Sequence, residues 1–228
     1  MKKPSLLSLI AAFACVALYA QTPDYRFGKV SAEELRMTSY DKDPDAAAVY
    51  LYEENSLFYQ IDREIGLTSD YRARIKILKS DGTDQANVSI PYTDEYSVRE
   101  SVFGIDAVAY NLVDGKIVKT PLKKQYIFTE QVGENHKLVK FSIPEVREGT
   151  VIEYKFRKTS KNPTYIPSFR FQHDIPVARC HMQALIPEFF KFNLNLKGYV
   201  KVNIEDGSTN GSVGSGSDMI SFNVREIK

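Results

Sequence analysis

Alternation of apolar and polar residues with a period of two is the dominant pattern along the chain. It occurs in five segments, residues 71–77, 152–157, 192–196, 200–204 and 220–225. Successive side chains of a strand point to opposite faces of a sheet, so each segment predicts a strand with one buried and one solvated face. Asp-Gly dipeptides, which are typical of tight turns between strands, occur at 81–82, 114–115 and 206–207.

Two further segments refine the predicted fold. Residues 102–113 are apolar on both faces, which predicts a central strand. Helix is scarce, although Ser31 and Glu34 have the spacing of a capping box and predict a short helix that ends near Met37. Many strands at short spacing with so little helix predict an all-β protein, an antiparallel β-sandwich with at most one short N-terminal helix.

The Gly- and Ser-rich stretch at 207–218 has two interpretations, an interdomain linker or a loop between two paired strands. The loop is favoured because a strand pattern resumes at Met219. The sequence then ends at Lys228, directly after that strand. We therefore expect the chain to be a fragment or the first part of a longer protein.

The N-terminus has the layout of a secretory signal peptide. Lys2 and Lys3 precede an uncharged apolar run at 6–19, and the chain turns polar after Ala20. The run is too short for a comfortable membrane span, which needs about 20 residues. The predicted organisation is a signal peptide over 1–20 and one β-sandwich domain over 21–228, exported to the periplasm or secreted, with no membrane anchor after cleavage. Lipoprotein cleavage before Cys15 is a weaker alternative.

Composition excludes several classes of function. The chain has 30 Lys and Arg against 29 Asp and Glu, whereas a nucleic-acid-binding protein needs a basic surface to neutralise phosphates. Its two cysteines exclude a four-cysteine zinc site. Cleavage after Ala20 would leave Cys180 as the only thiol of the mature chain.

The candidate catalytic residues do not combine into a site. Cys180 shares its strand face with apolar residues while His181 falls on the opposite face, so the two cannot form a nucleophile and its base. We interpret Cys180 as a small core residue. His173 shares a face with Phe169 and Phe171, which predicts a partly buried ring bonded to a backbone carbonyl. We expect no catalytic, metal-binding or cofactor-binding residue.

The chain contains 14 Tyr and 13 Phe but no Trp. The tyrosines could belong to the core or sheet surface, to a protein interface, or to a glycan-binding platform. A partner surface is predicted at four residues that alternate outward beside a strand that ends in proline, namely Arg170, Gln172, Asp174 and Pro176. The alternative is that Gln172 and Asp174 make hydrogen bonds within their own turn.

Several phrases, in order, resemble a known family. They include Pro-Glu-Val-Arg-Glu-Gly-Thr-Val-Ile-Glu-Tyr at 144–154 and Phe-Gln-His-Asp-Ile-Pro-Val at 171–177, together with 24–30, 33–35, 74–78, 110–112 and 115–119. These phrases resemble domain of unknown function 3857, which is found in exported proteins of Gram-negative bacteria. The resemblance covers most of residues 24–228.

The resemblance implies a β-rich domain that usually precedes a transglutaminase-like domain with a Cys-His-Asp triad on a papain-like core. That triad cannot be placed on this chain, because the only histidine after Cys180 is its neighbour His181. The leading hypothesis is a non-catalytic N-terminal accessory domain whose partner is a transglutaminase-like domain, in the same chain or in another. The alternatives are a glycan-binding module of the bacterial envelope and, with least support, a complete small hydrolase.

Overall fold

The structure, a computed structural model, describes residues 24–61, 63–187, 189–190, 195, 197, 203–209 and 219–225, the last two segments by backbone alone. The predicted signal peptide and Cys15 lie outside the described residues. The strands are β1 (Ala48–Ile61), β2 (Ile65–Ile77), β3 (Asn87–Thr93), β4 (Glu100–Val113), β5 (Lys116–Pro121), β6 (Ile127–Gln131), β7 (His136–Ser142), β8 (Val151–Ser160), β9 (Cys180–Pro187), β10 (Asn203–Thr209) and β11 (Met219–Arg225). The helices are α1 (Ala32–Arg36) and two 3-10 helices, Ser80–Ala86 and Lys124–Tyr126.

The strands form two sheets. The large sheet has the order β10-β11-β9-β1-β2-β8-β4-β5, and the small sheet has the order β3-β7-β6. Neighbouring strands are antiparallel except β1 and β9, which are parallel. Because β8 also runs in the direction of β1, β8 and β9 are parallel to each other, and such strands need a long crossover. Residues 161–179, called the crossing loop below, supply that crossover.

The predicted fold class is confirmed, since the protein is a β-sandwich with little helix. Apolar side chains from the two sheets meet in one core, to which Ile75 and Ile152 contribute from the large sheet and Val139 and Phe141 from the small sheet. β4, predicted as a central strand, lies between β8 and β5 and is buried on both faces around Ala109 and Tyr110.

The turn predictions are partly right. Asp114 and Gly115 have φ angles of 50° and 74° and form the two-residue turn between β4 and β5. Asp81-Gly82 instead belongs to a 3-10 helix, where a Cβ on Gly82 would lie 2.3 Å from the carbonyl oxygen of Ala47. Asp206-Gly207 lies inside β10. β10 and β11 pair as predicted for strands that flank a loop, and residues 210–218 lie outside the described residues.

Residues 24–47, the N-terminal segment, cover part of the outer face of the large sheet, which is the face turned away from the small sheet. Ser31 and Glu34 form the predicted capping box, with reciprocal hydrogen bonds of 3.1 and 2.6 Å. Leu35 then packs against Tyr110 and Val151 of the sheet. Among the described residues, no helix is long and apolar enough to cross a membrane.

The prediction that the polar face of β2 and β8 is solvated is wrong for its central residues. Arg74, Lys76 and Glu153 have at most 2% of their surface exposed, because the N-terminal segment lies over them. The Arg74 guanidinium contacts the carboxylates of Glu153 and Glu34 at 2.6 and 2.7 Å. It also donates to the backbone carbonyls of residues 24 and 26, at 3.1 and 3.0 Å.

The partners of Arg74 are themselves satisfied. Glu153 Oε2 accepts hydrogen bonds from the Tyr110 hydroxyl and the Gly28 amide, both at 2.8 Å. Next to this network, Lys76 Nζ donates to the carbonyls of Leu35 and Gly149 at 2.7 and 2.6 Å. The N-terminal segment is therefore held to the sheet largely by buried polar contacts.

Replacing Arg74 with methionine leaves two carboxylates without their counter-charge beneath the N-terminal segment. We expect Arg74→Met to lower the free energy of unfolding by about 3–5 kcal/mol, as for a broken buried ion pair. The matched control is Arg72→Met on the same strand, whose partly exposed side chain pairs with Glu54 and contributes about 1 kcal/mol or less. Urea unfolding of both variants checks this, and equal losses would contradict it.

The buried amine predicts an unusual dependence of stability on pH. Burial lowers the pKa of Lys76 to about 8, from 10.5. Between these two values the unfolded chain binds more protons than the folded chain, so this residue makes the unfolding free energy rise with pH. Between pH 8 and 10.5 we expect the unfolding free energy of the wild type to rise by about 2 kcal/mol relative to that of Lys76→Met, which lacks the amine. Parallel stability curves for the two proteins would contradict it.

Candidate interaction surface

The crossing loop covers the large sheet near β1 and β9, on its inner face, which is the face that also packs against the small sheet. It has no helix or strand, and one isolated bridge pairs Val177 with Tyr50 in parallel. The Tyr50 amide donates to the Pro176 carbonyl at 2.9 Å, and the Ala178 amide donates to the Tyr50 carbonyl at 2.7 Å. Farther back along the loop, the Pro163 carbonyl accepts from the Tyr59 hydroxyl at 2.7 Å. A loop of this length without secondary structure is uncommon in a compact domain unless it has a function.

A buried carboxylate holds the middle of the crossing loop. Glu53, with 1% of its surface exposed, accepts a hydrogen bond from the Tyr71 hydroxyl at 2.6 Å through Oε1. Its Oε2 lies 2.8 Å from His173 Nε2 of the loop. The His173 ring also stacks on Tyr50, with ring centroids 4.6 Å apart. The prediction that His173 bonds to a backbone carbonyl is therefore wrong, since its partner is the Glu53 carboxylate.

Glu53 was not singled out by sequence reasoning. The available signal was the Glu53-Glu54 pair inside the aromatic run of β1, where the register places the two carboxylates on opposite faces. Glu53 faces Cys180 and Glu54 faces His181, at 3.5 Å to the sulfur and 3.1 Å to Nδ1. This confirms that Cys180 and His181 point to opposite sides of the sheet.

The position of Cys180 opposes reactivity. The residue is 1% exposed, as predicted for a core cysteine. Burial, followed by the charge and hydrogen bond of Glu53, raises the pKa of the Cys180 thiol well above its usual range. In a Cys-His-acid triad the histidine lies between the thiol and the carboxylate, whereas here Glu53 lies between Cys180 and His173. The cluster thus stabilises a thiol rather than a thiolate.

The predicted partner surface lies on the outer side of the crossing loop. The strand expected there is absent, but the predicted alternation holds: Arg170, Gln172 and Asp174 are exposed, and Pro176 is partly buried and paired through its carbonyl. Within the part of the chain that the structure describes, the side chains of Gln172 and Asp174 make no hydrogen bond, contrary to the turn alternative. Three of the four predicted residues therefore face solvent together.

A shallow groove lies on the opposite face of the large sheet. It is a cavity of about 520 Å³ whose lining includes Glu54, Asp70, Arg72, Phe103 and Arg157. The charges are paired across strands; for example, the Arg157 guanidinium donates two hydrogen bonds of 2.5 and 2.6 Å to the Asp70 carboxylate. The tyrosines Tyr50 and Tyr52 are 8% exposed, so they belong to the packed sheet and not to an open platform.

Comparison with known proteins identifies the family. The model of a domain of unknown function with a solved structure, DUF3857, matches residues 66–228, and the chain belongs to this family. No curated protein matches the sequence.

Two solved structures are among those to which the chain is similar. A protein from Parabacteroides distasonis, for which a protease activity has been suggested, is 14% identical with a TM-score of 0.55, over 79% of this chain and 36% of that chain. An M1 zinc metallopeptidase from Deinococcus radiodurans is 10% identical with a TM-score of 0.34, over 79% of this chain and 40% of that chain. At this identity the first likeness shows the fold alone. The chain spans only about a third of the length of the Parabacteroides protein.

The bond between His173 and Glu53 predicts the local stability of the crossing loop. His173→Phe keeps a ring on Tyr50 but removes the hydrogen bond, which leaves a buried carboxylate oxygen short of a donor. Under native conditions we expect trypsin to cleave His173→Phe after the exposed Arg170 about tenfold faster than the wild type, because local unfolding of the crossing loop costs less free energy. His136→Phe, at an exposed position on β7, is the matched control. Identical cleavage rates in His173→Phe and wild type would contradict the role of this bond.

Proposed function

We propose that the protein is a non-catalytic, exported interaction domain that packs against a transglutaminase-like catalytic domain, or presents substrate to it, in the same chain or in a separate one. One observation carries the proposal. The crossing loop is held to the sheet by the hydrogen bond between the buried Glu53 and His173, while its outer side presents Arg170, Gln172 and Asp174 to solvent. Because the loop is already fixed in position, binding of another protein to its exposed polar side chains would cost little conformational entropy.

The chemistry of the inner cluster supports a non-catalytic role. The Cys180 thiol is buried against a carboxylate, and its pKa is raised, whereas a nucleophilic cysteine needs a lowered pKa and a basic neighbour. Family membership supports an accessory role through the resemblance, which associates this domain with a following transglutaminase-like domain. Export is supported by the signal-like sequence of residues 1–20.

The glycan-binding alternative stays a prediction. Tyr50 and Tyr52 are packed within the sheet, so a platform would need exposed aromatic side chains such as Tyr96, at 88%, or Phe103 in the groove, at 48%. That groove is dominated by paired charges rather than by aromatic faces. The crossing loop therefore supports a protein partner more directly than the groove supports a sugar.

Partner binding tests the proposal. The triple variant Arg170→Ala, Gln172→Ala and Asp174→Ala is expected to bind a transglutaminase-like domain from the same organism at least about tenfold more weakly than the purified 21–228 chain does, measured by titration calorimetry. A matched control replaces Arg36, Thr38 and Asp41 with alanine, which are exposed residues of the N-terminal segment on the other side of the sheet. We expect this control to bind with unchanged affinity.

Two results would overturn the proposal. If the crossing-loop and control variants bind the transglutaminase-like domain with equal affinity, Arg170, Gln172 and Asp174 do not contribute to the interaction. Hydrolysis of peptides or crosslinking of amines by the purified chain, lost in Cys180→Ala, would show that the domain is itself an enzyme.

A further inference from the structure

The strand β5 at one end of the large sheet is exposed along nearly its whole length. It is the last strand in the sheet order and pairs with β4 alone. All of its residues except Thr120 are exposed. Among them Ile117 and Val118 are apolar, with 37% and 43% of their surfaces exposed. An edge strand with exposed apolar side chains is a template for pairing with another chain.

The hydrogen-bond register shows which main-chain groups of β5 point away from the sheet. The Leu122 amide, just after the strand, donates to the Ala107 carbonyl at 2.8 Å. Paired residues alternate between bonded and non-bonded positions in an antiparallel ladder, so every second pair counted back from this one is bonded. The two-residue turn at 114–115 requires the same phase at the other end of the hairpin. Ile117 and Lys119 therefore direct both their N–H and C=O groups outward, and Pro121 directs only a carbonyl.

The charge along this edge has one sign. Residues 115–129 contain four lysines and no Asp or Glu; the lysines, all exposed, are Lys116, Lys119, Lys123 and Lys124. Strand alternation puts Ile117 with Lys119 on one face of the edge and Lys116 with Val118 on the other. Each face thus combines one apolar side chain and one ammonium group. Two copies of this edge would bring two groups of lysines together with no carboxylate between them, which disfavours pairing of the protein with itself.

We propose that the outer edge of β5 binds an extended acidic polypeptide segment as an additional strand of the large sheet. The outward N–H and C=O groups of Ile117 and Lys119 supply the main-chain hydrogen bonds, and the lysines select a strand that combines carboxylate and aliphatic side chains. Pro121, which lacks an N–H, ends the pairing. This site goes beyond the proposed function and is separate from the crossing loop, because β2, β8 and β4 lie between β1 and β5.

The probe is a synthetic acidic peptide of alternating Glu and Val, tested with the purified 21–228 chain. One comparison peptide has Lys in place of Glu, and a second has the acidic sequence with N-methylated alternate amides that cannot form a strand ladder. We expect the acidic peptide to bind and the two comparison peptides not to bind. Binding should slow hydrogen exchange at the amides of Ile117 and Lys119. Absence of binding, or equal binding of the N-methylated peptide, would overturn the proposal.

Variants of β5 separate main-chain pairing from general charge attraction. Ile117→Pro removes an outward N–H and leaves the ladder with β4 intact, so the affinity for the acidic peptide should fall about tenfold. Ile117→Thr retains the N–H and should bind within about twofold of the wild type. Equal losses in both variants would show side-chain contact instead of strand pairing and would refute the site.

A charge reversal keeps the proposal testable if proline disturbs the fold. Lys116→Glu together with Lys119→Glu should exchange the preference, so that the basic peptide binds and the acidic peptide does not. Unchanged preference would overturn the role of the lysines. The crossing-loop triple variant should bind the acidic peptide normally, which distinguishes failure of this site from failure of the proposed function.

Discussion

The organisation of this domain depends on one constraint, which is that both faces of the large sheet must be covered. The small sheet covers one part of the inner face and the crossing loop covers another part. The N-terminal segment covers part of the outer face around Tyr110 and Val151. Burial of apolar surface is the dominant favourable contribution to folding. Most of the core that the described residues form lies where the small sheet, the crossing loop and the N-terminal segment pack on the large sheet.

Two of the three segments that cover the sheet are held by buried ionisable groups as well as by apolar packing. Arg74 and Glu153 lie beneath the N-terminal segment, and Glu53 lies beneath the crossing loop with His173. A buried ion pair contributes little net stability over a hydrophobic pair, but loss of one partner is costly. These groups therefore determine where each segment lies on the sheet. A loop placed in this way can present the same outward side chains to a partner in every molecule.

Much of the fold could be predicted from the sequence, whereas the cover of the outer face could not. Period-two alternation correctly indicated β2, β8 and β11 as strands. The same alternation assigned Arg74 and Lys76 to solvent, and no local pattern shows that a distant segment will lie over them. Glu53 was missed for a related reason, since β1 is buried on both faces and shifts register between Tyr50 and Tyr52. The exposure of Arg170, Gln172 and Asp174 was predicted correctly although the strand predicted there is absent, because alternation survives in an extended loop.

Covering the faces of a sheet leaves its edges as a separate problem. Main-chain N–H and C=O groups at an edge that have no partner strand form hydrogen bonds with water, and a strand from another chain can replace that water. At β5 the lysines and Pro121 oppose pairing with an identical edge, yet Ile117 and Lys119 keep their outward groups accessible. A fully protected edge would have no need for exposed Ile117 and Val118 between the lysines. The combination is that of an edge that excludes copies of itself and remains open to a strand of opposite charge.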